Sequence, residues 1–253
     1  MKRLLAMIAA LLFAINSFAA GPMRPPKGFA GQVYAGTFVL YDEYENKLQM
    51  LCTAAAYEST PGGYHLLTAG HCIQETPAEV ALFVSEEIGG TLMPVTVVKS
   101  FVGNGIDFAT LELRTPRKYP VFSLGDERDL RIGDATLMVA FSEGVVKQFG
   151  YGTVASEPFV ESPECNVDCS GDLFVQTYGS GGASGALIFS AKTHKVVGIF
   201  RAMFTSRVGT TGAVVEPISK FTTFRGLPGQ TRPSMSDLRD PEDDDPAVTE
   251  PKK

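Results

Sequence analysis

Residues 179–189 read GSGGASGALIF and join a glycine-rich turn to an apolar run. Glycine adopts backbone conformations that other residues avoid, so this turn can expose the Ser184 hydroxyl and aim backbone N–H groups at one point. A second apolar run, Val196–Phe200, follows after a short polar turn at Ala191–Lys195, which is typical of a β-hairpin. A flexible Gly/Ser linker would not continue into such a pattern. The stretch therefore predicts a β-rich fold with Ser184 in a tight turn before a buried strand.

The remainder of the 253-residue chain also favours an all-β fold. Short runs rich in Val, Thr, Phe and Tyr alternate with Gly, Pro, Asn and Asp, and few runs have a period of 3.6 residues. The first strands are expected at Gln32–Asp42 and Lys47–Tyr57, and the last at Ala213–Ile218. The length suits one large β domain or two small barrels that share an interface.

A nucleophilic serine needs a base and an acid, and the sequence offers one candidate for each. His71 ends an apolar run after the small residues Ala69 and Gly70, which leave room around an imidazole. Asp107 stands between Ile106 and Phe108, where a buried carboxylate needs a partner such as a histidine N–H. Taken singly, a strand-end histidine is more often structural, and an aspartate after a Gly-Asn-Gly turn more often caps that turn. Their coincidence with Ser184 favours a catalytic set.

The first twenty residues resemble a secretory signal. Lys2 and Arg3 precede a twelve-residue apolar run, residues 4–15, and small residues permit cleavage after Ala19. The alternative is an uncleaved anchor, but the run is short of the roughly twenty residues that span a bilayer. We therefore expect a signal peptide at 1–20, a lead-in at 21–30, and a secreted or periplasmic protein without membrane association after cleavage.

The net charge of -6 is concentrated at the C-terminus. Residues 234–253 carry seven acidic and three basic side chains, together with several prolines and few apolar residues. Residues 226–253 are therefore expected to form a disordered acidic tail. No basic stripe suggests nucleic-acid binding.

Three motifs, in the order histidine, aspartate, serine, resemble those of the chymotrypsin/trypsin-like serine proteases. They are TAGHC at Thr68–Cys72, DFATL at Asp107–Leu111 and GASG at Gly182–Gly185. Two further motifs, LGD at 124–126 and VVGI at 196–199, resemble segments of bacterial secreted members of the Deg type. Within the family, the chain is thus most similar to Deg-type and glutamyl-endopeptidase-like members. The likeness covers about residues 31–224, and fewer than thirty residues follow for the PDZ domain of Deg enzymes.

The resemblance implies an all-β fold of two six-stranded antiparallel barrels, 31–116 and 117–225, with the active site in the cleft between them. It implies Ser184 as nucleophile, His71 as general base and Asp107 as the residue that orients His71. The N–H groups of Gly182 and Ser184 would form the oxyanion hole, worth about 3 kcal/mol per donor. No metal or organic cofactor is expected. The chain departs from digestive members at Ala183, where they have the aspartate that pairs with a newly cut N-terminus.

The four cysteines form an even set, which fits an exported protein. The family places a bridge where Cys52 and Cys72 stand, and it would contribute about 3 kcal/mol in the chain-entropy model. For Cys165 and Cys169, in a polar loop, a small-loop disulfide is preferred over two free thiols or a metal site, which would need more ligands.

The specificity pocket is also inferred from the family geometry. Tyr178, six residues before the nucleophile, is expected at its base, with walls from Ile199, Phe200, Arg201 and the segment around Gly212. Arg201 could point inward and favour acidic side chains, but a position over the rim is preferred. Cleavage after apolar residues is expected first, after acidic ones second, and rarely after Lys or Arg, because an unpaired buried cation is costly.

The expected function is that of a monomeric serine endopeptidase acting on protein or peptide substrates, with no nucleic-acid partner. The alternative is a catalytically inactive binding protein on the same fold.

Overall fold

The computed structural model describes residues 27–142, 146–156, 170–205 and 211–232. The signal peptide at 1–20, the pair Cys165–Cys169 and the acidic tail after Arg232 lie outside the described residues, and those expectations remain predictions. None of the described helices is long and apolar enough to cross a bilayer.

Twelve described strands form two closed antiparallel barrels, as the resemblance implied. The first barrel has the strand order β1-β2-β3-β6-β5-β4 and the second β10-β11-β12-β9-β8-β7. The first six strands are β1 (Thr37–Tyr44), β2 (Lys47–Thr60), β3 (Gly63–Ala69), β4 (Ala81–Ser85), β5 (Met93–Gly103) and β6 (Ile106–Arg114). The second six are β7 (Ala135–Ser142), β8 (Val146–Val154), β9 (Leu173–Gln176), β10 (Leu187–Ser190), β11 (Val196–Thr205) and β12 (Thr211–Pro217).

Three α-helices and one 3-10 turn complete the described chain. The helices are α1 (Phe29–Ala35), α2 (His71–Gln74) and α3 (Ser219–Gly226), and the 3-10 turn is Glu127–Asp129. The strand expected from Gln32 is wrong at its start, because residues 29–35 are helical and β1 begins at Thr37. The fully buried Val33 anchors α1, and its carbonyl accepts a hydrogen bond of 2.7 Å from the Thr37 hydroxyl.

Apolar side chains from both barrels meet in one core cluster. Edge-on aromatic contacts cross the interface: Phe189 of β10 packs against Phe122, in the connection between the barrels, and against Phe29 of α1. Aromatic pairs of this geometry contribute about 0.5–1.5 kcal/mol to the stability of the fold, in addition to the contribution of the apolar area that they bury. The two barrels are thereby fixed against each other, which any site between them requires.

The expected start of disorder at residue 226 is wrong for the described part of the tail. Residues 227–232 lie along the first barrel, where the Gln230 amide donates to the Ser100 carbonyl at 2.9 Å. The Arg232 guanidinium donates to the Ala78 carbonyl at 2.6 Å. A polar, proline-containing segment is held here by backbone and side-chain hydrogen bonds to the barrel, which its composition does not reveal.

Candidate active site

His71 and Asp107 are brought together by the pairing of β3 with β6. Ala69 pairs with Phe108 in this register, so the end of β3 and the start of β6 are adjacent. The His71 ring Nδ1 lies 2.7 Å from Asp107 Oδ2, and the His71 backbone N–H donates to Oδ1, also at 2.7 Å. The carboxylate thus holds both the ring and the backbone of the histidine, which selects the tautomer with a proton on Nδ1.

A disulfide confirms the expected pairing of Cys52 with Cys72, the residue next to His71. The Cα atoms of the two cysteines are 6.2 Å apart, and the bridge ties α2 to strand β2. Because both sulfurs are used in the bridge, they are not available as thiolate ligands beside His71.

The loop that carries Ser184 depends on two glycines. Gly182 and Gly185 have φ angles of +87° and +83°, in the region that disfavours side chains. A Cβ atom at Gly182 would lie 2.4 Å from the Phe141 carbonyl oxygen, and one at Gly185 would lie 2.3 Å from the Thr53 carbonyl oxygen. The glycine-rich turn is therefore required by close packing against both barrels.

The backbone donors around Ser184 have the pattern of an open oxyanion hole. The N–H groups of Ala183, Gly185 and Ala186 donate to carbonyl groups of the protein. In the described part of the chain, no acceptor engages the N–H of Gly182 or Ser184. These two N–H groups stand two residues apart in one turn, on either side of Ala183, as the expected oxyanion hole requires.

The Ser184 hydroxyl donates to the Arg201 carbonyl, with an O···O distance of 3.4 Å. Among the described residues no hydrogen bond joins this hydroxyl to the His71 ring. Such bonds are often long or poorly aligned before substrate binds. Ser184 is therefore hydrogen-bonded to Arg201 in this structure, and His71 to Asp107.

Arg201 has a different position from the one expected. Its side chain is 5% exposed, its Nε lies 3.3 Å from Asp107 Oδ2, and its Nη1 donates to Asp172 Oδ2 at 2.9 Å. The preferred place over the pocket rim is therefore wrong, and so is the inward alternative. In β11, Phe200 faces the core and Arg201 the opposite side, where buried carboxylates are found.

Glu216 of β12 is a second buried contact of the aspartate. Both of its carboxyl oxygens lie within hydrogen-bond distance of the Asp107 N–H, at 2.9 and 3.0 Å, and the residue is fully buried. The signal for this residue was present in the sequence, because an acid inside the apolar run Ala213–Ile218 needs a partner.

Burial and neighbouring charges perturb the pKa values of the site. Burial lowers the pKa of His71, but the hydrogen bond and charge of Asp107 outweigh it, so that the pKa lies above its ordinary value. Burial raises the pKa of Asp107, but the hydrogen bond and charge of His71 outweigh it and lower the pKa. Burial, followed by the charges of Asp107 and Asp172, raises the pKa of Glu216 well above its ordinary value.

The expected pocket residues lie differently from the inferred geometry. Ile199 and Phe200 are fully buried in the core, and the Phe200 ring packs on Gly179. Gly212 packs against the Phe174 ring. Tyr178 is 61% exposed, which is not the environment of a closed pocket floor. These side chains therefore do not form the expected apolar pocket in this structure.

The fold is similar to those of solved proteases of the HtrA and Deg type. One is the HtrA-type protease AlgW with a tripeptide, with a TM-score of 0.61 and 18% identity over 79% of this chain and 63% of that chain. Another is AlgW with a decapeptide, with a TM-score of 0.60 and 16% identity over 79% of this chain and 67% of that chain. Deg5 matches with a TM-score of 0.59 and 18% identity over 77% of this chain and 89% of that chain. This chain spans less than two thirds of the first of these structures.

The sequence comparison agrees with the fold. None of the curated proteins matches this chain significantly. A family model, the trypsin-like peptidase domain, matches residues 52–199, more than half of the chain. The match includes His71, Asp107 and Ser184, and the chain belongs to the trypsin-like peptidase domain family.

Proposed function

We propose that this protein is an exported serine endopeptidase that hydrolyses peptide bonds through an acyl-enzyme intermediate. The hydrogen bond of 2.7 Å between His71 Nδ1 and Asp107 Oδ2 carries the proposal, because it prepares Nε2 of the same ring to accept a proton. The unengaged N–H groups of Gly182 and Ser184 support it further.

In the proposed reaction Ser184 Oγ attacks the carbonyl carbon of the scissile bond and its proton passes to His71 Nε2. Asp107 stabilises the imidazolium, and the N–H groups of Gly182 and Ser184 bind the oxyanion, at about 3 kcal/mol per donor. His71 then protonates the leaving amine. A water molecule, activated by the same ring, hydrolyses the ester and restores Ser184.

The reaction requires one local movement. The Ser184 hydroxyl has to exchange its hydrogen bond with the Arg201 carbonyl for one with His71 Nε2. Its present O···O distance of 3.4 Å marks a weak hydrogen bond, so little free energy opposes the exchange.

Two observations support the substrate class and the compartment. The similar AlgW structures were determined with a tripeptide and a decapeptide, which supports a peptide substrate for this chain. The Cys52–Cys72 disulfide is of a kind that persists in oxidising compartments, which supports export. Sequencing the N-terminus of the exported protein tests the second point. A start at Ala20 is expected, and an intact Met1 would contradict cleavage.

The second candidate function is a catalytically inactive binding protein, and the hydrogen bond of the Ser184 hydroxyl to the Arg201 carbonyl, in place of one to His71, favours it. A fluorophosphonate probe distinguishes the two, because it reacts only with an activated serine. We expect labelling of the wild type and of the control Ser59→Ala, an exposed position, but not of Ser184→Ala. Ser184→Ala should also reduce peptide hydrolysis by about 10⁶-fold. Equal, background labelling of all three proteins would favour the inactive binding protein.

A further inference from the structure

A cluster of buried charges lies behind His71 and Asp107. It is formed by Asp107 of β6, Asp172 before β9, Arg201 of β11, Glu216 of β12 and Lys220 of α3. The side chains of Asp172 and Arg201 are 0% and 5% exposed, respectively. Removing charged side chains from water costs free energy that their pairing only partly offsets. Packing alone therefore does not account for this cluster.

The contacts form a chain that ends at Asp107. Lys220 Nζ donates to Asp172 Oδ1 at 2.6 Å and to the carbonyls of Gly105 and Ser170, both at 2.8 Å. Asp172 Oδ2 accepts from Arg201 Nη1 at 2.9 Å. The Arg201 guanidinium then reaches Asp107 Oδ2 through Nε at 3.3 Å.

The charges balance when Glu216 is protonated. Arg201 and Lys220 supply two positive charges, and Asp107 and Asp172 supply two negative ones. Burial, followed by the charges of Asp107 and Asp172, raises the pKa of Glu216, which favours its neutral form. A neutral cluster avoids the free-energy cost of a net buried charge.

Arg201 also contacts both ends of the candidate triad. Its guanidinium approaches Asp107 Oδ2, the same oxygen that lies 2.7 Å from His71 Nδ1. Its backbone carbonyl accepts the hydrogen bond from Ser184 Oγ. Arg201 thus lies within ion-pair distance of the aspartate, while its main-chain carbonyl accepts a hydrogen bond from Ser184.

We propose that Arg201 is a positioning residue: held by Asp172, which Lys220 in turn anchors, its guanidinium orients the Asp107 carboxylate and reduces the negative charge that His71 experiences. The consequence for catalysis rests on the proposed function. The effects of Arg201 on the orientation of Asp107 and on the protonation of His71 do not rest on that function, and the second effect can be measured in an inactive protein.

The expected change in His71 has a definite sign. The charged groups that face its ring are Asp107, Glu75 and Arg201. Those that face Asp107 are His71, Arg201 and Glu216. Arg201 is the cation of this set that opposes protonation of His71. Replacing it with a neutral residue of similar length therefore raises the pKa of His71.

The test is an NMR titration of the histidine ring protons in the Ser184→Ala background. The chain has three histidines, so comparison with a His71→Ala spectrum assigns the signal. Arg201→Met should raise the His71 pKa by about one unit, the usual size of a nearby charge effect. Arg201→Lys should largely restore the wild-type pKa. Arg114→Met is the matched control, since this exposed arginine pairs with Glu112, and it should leave the His71 pKa unchanged.

In the active protein, Arg201→Met should lower kcat by about ten- to a hundredfold with a smaller change in KM, since small misplacements of catalytic groups have effects of this size. If Arg201→Met does not fold, Arg201→Met/Asp172→Asn gives the same titration without an uncompensated buried aspartate. An unchanged His71 pKa in the folded variant would overturn the proposal. A shifted pKa in a protein that the fluorophosphonate probe fails to label would uphold the positioning role and reject the endopeptidase function.

Discussion

The Thr53 hydroxyl donates a hydrogen bond to the Gly182 carbonyl, with an O···O distance of 2.8 Å. The Thr53 hydroxyl oxygen also accepts a hydrogen bond from the Phe141 N–H at 3.0 Å. The Thr53 backbone N–H donates to the Ser184 carbonyl at 2.8 Å. The preceding residue, Cys52, forms the disulfide that ties down the segment of His71. Two consecutive residues of β2 therefore hold the segments of His71 and Ser184, which come from different barrels.

Thr53→Val keeps the shape of the side chain but removes the hydroxyl. It leaves the Gly182 carbonyl and the Phe141 N–H without their partner, which should cost about 1–3 kcal/mol of stability. Because Gly182 supplies an oxyanion donor in the proposed mechanism, kcat should fall about tenfold or more with less effect on KM. The rate of fluorophosphonate labelling and the melting temperature measure the two effects.

Two further variants distinguish an effect on the position of the Gly182–Ser184 loop from a general loss of stability. Thr53→Ser retains the hydroxyl and should recover most of the labelling rate. Thr96→Val, at an exposed position of β5, should change neither quantity. A destabilised Thr53→Val protein that is labelled at the wild-type rate would show that the hydroxyl does not position the oxyanion loop.

The fold and the pair His71–Asp107 could be predicted from the sequence because both depend on local patterns. Alternating strands, turn residues and three short motifs are each readable within about ten residues. The environment of Arg201 was missed because its partners, Asp107 and Asp172, are distant in the chain and meet it only after both barrels close. The same holds for Thr53, whose role depends on Gly182, 129 residues away.

The Cys52–Cys72 disulfide should stabilise the protein and position α2. The paired variant Cys52→Ser/Cys72→Ser should lose about 3 kcal/mol, as expected for a bridge between residues 20 apart in the chain. Thermal unfolding of the wild type and of the variant measures the loss, and reductant should lower the melting temperature of the variant less, because only the predicted Cys165–Cys169 bridge remains in it. Non-reducing peptide mapping provides the direct check, and a peptide linking Cys72 to Cys165 would contradict this bridge.

The activity should depend on pH through His71. The neutral ring is the proposed base, so kcat/KM should fall as the pH decreases through the pKa of His71. Burial lowers this pKa and Asp107 raises it by more, so the midpoint should lie above the ordinary value of 6.5. A rate profile from pH 5 to 9 with a peptide substrate tests this. A flat profile would exclude a histidine base, and a midpoint below 6.5 would contradict the dominance of Asp107.

The last prediction concerns Gln230, in the segment that follows α3. Its side-chain Oε1 accepts from the Val102 N–H at 2.9 Å and also contacts the Gln74 amide, which belongs to the helix of His71. Val102 pairs with Asp107 across β5 and β6. The segment thereby fastens the strand that lies beside the candidate acid.

Gln230→Ala removes this acceptor but leaves the backbone bond from the Gln230 N–H to the Ser100 carbonyl in place. Loss of the hydrogen bonds from Val102 and Gln74 should cost about 1–2 kcal/mol, and each 1 kcal/mol lowers the melting temperature by roughly 2–4 °C for a protein of this size. The more specific effect is faster amide hydrogen exchange at Val102, because that N–H loses its side-chain partner. Gln49→Ala, at an exposed position of β2, is the matched control and should change neither measurement. Unaltered exchange at Val102 in Gln230→Ala would mean that the Gln230 side chain does not protect this N–H of β5 in solution.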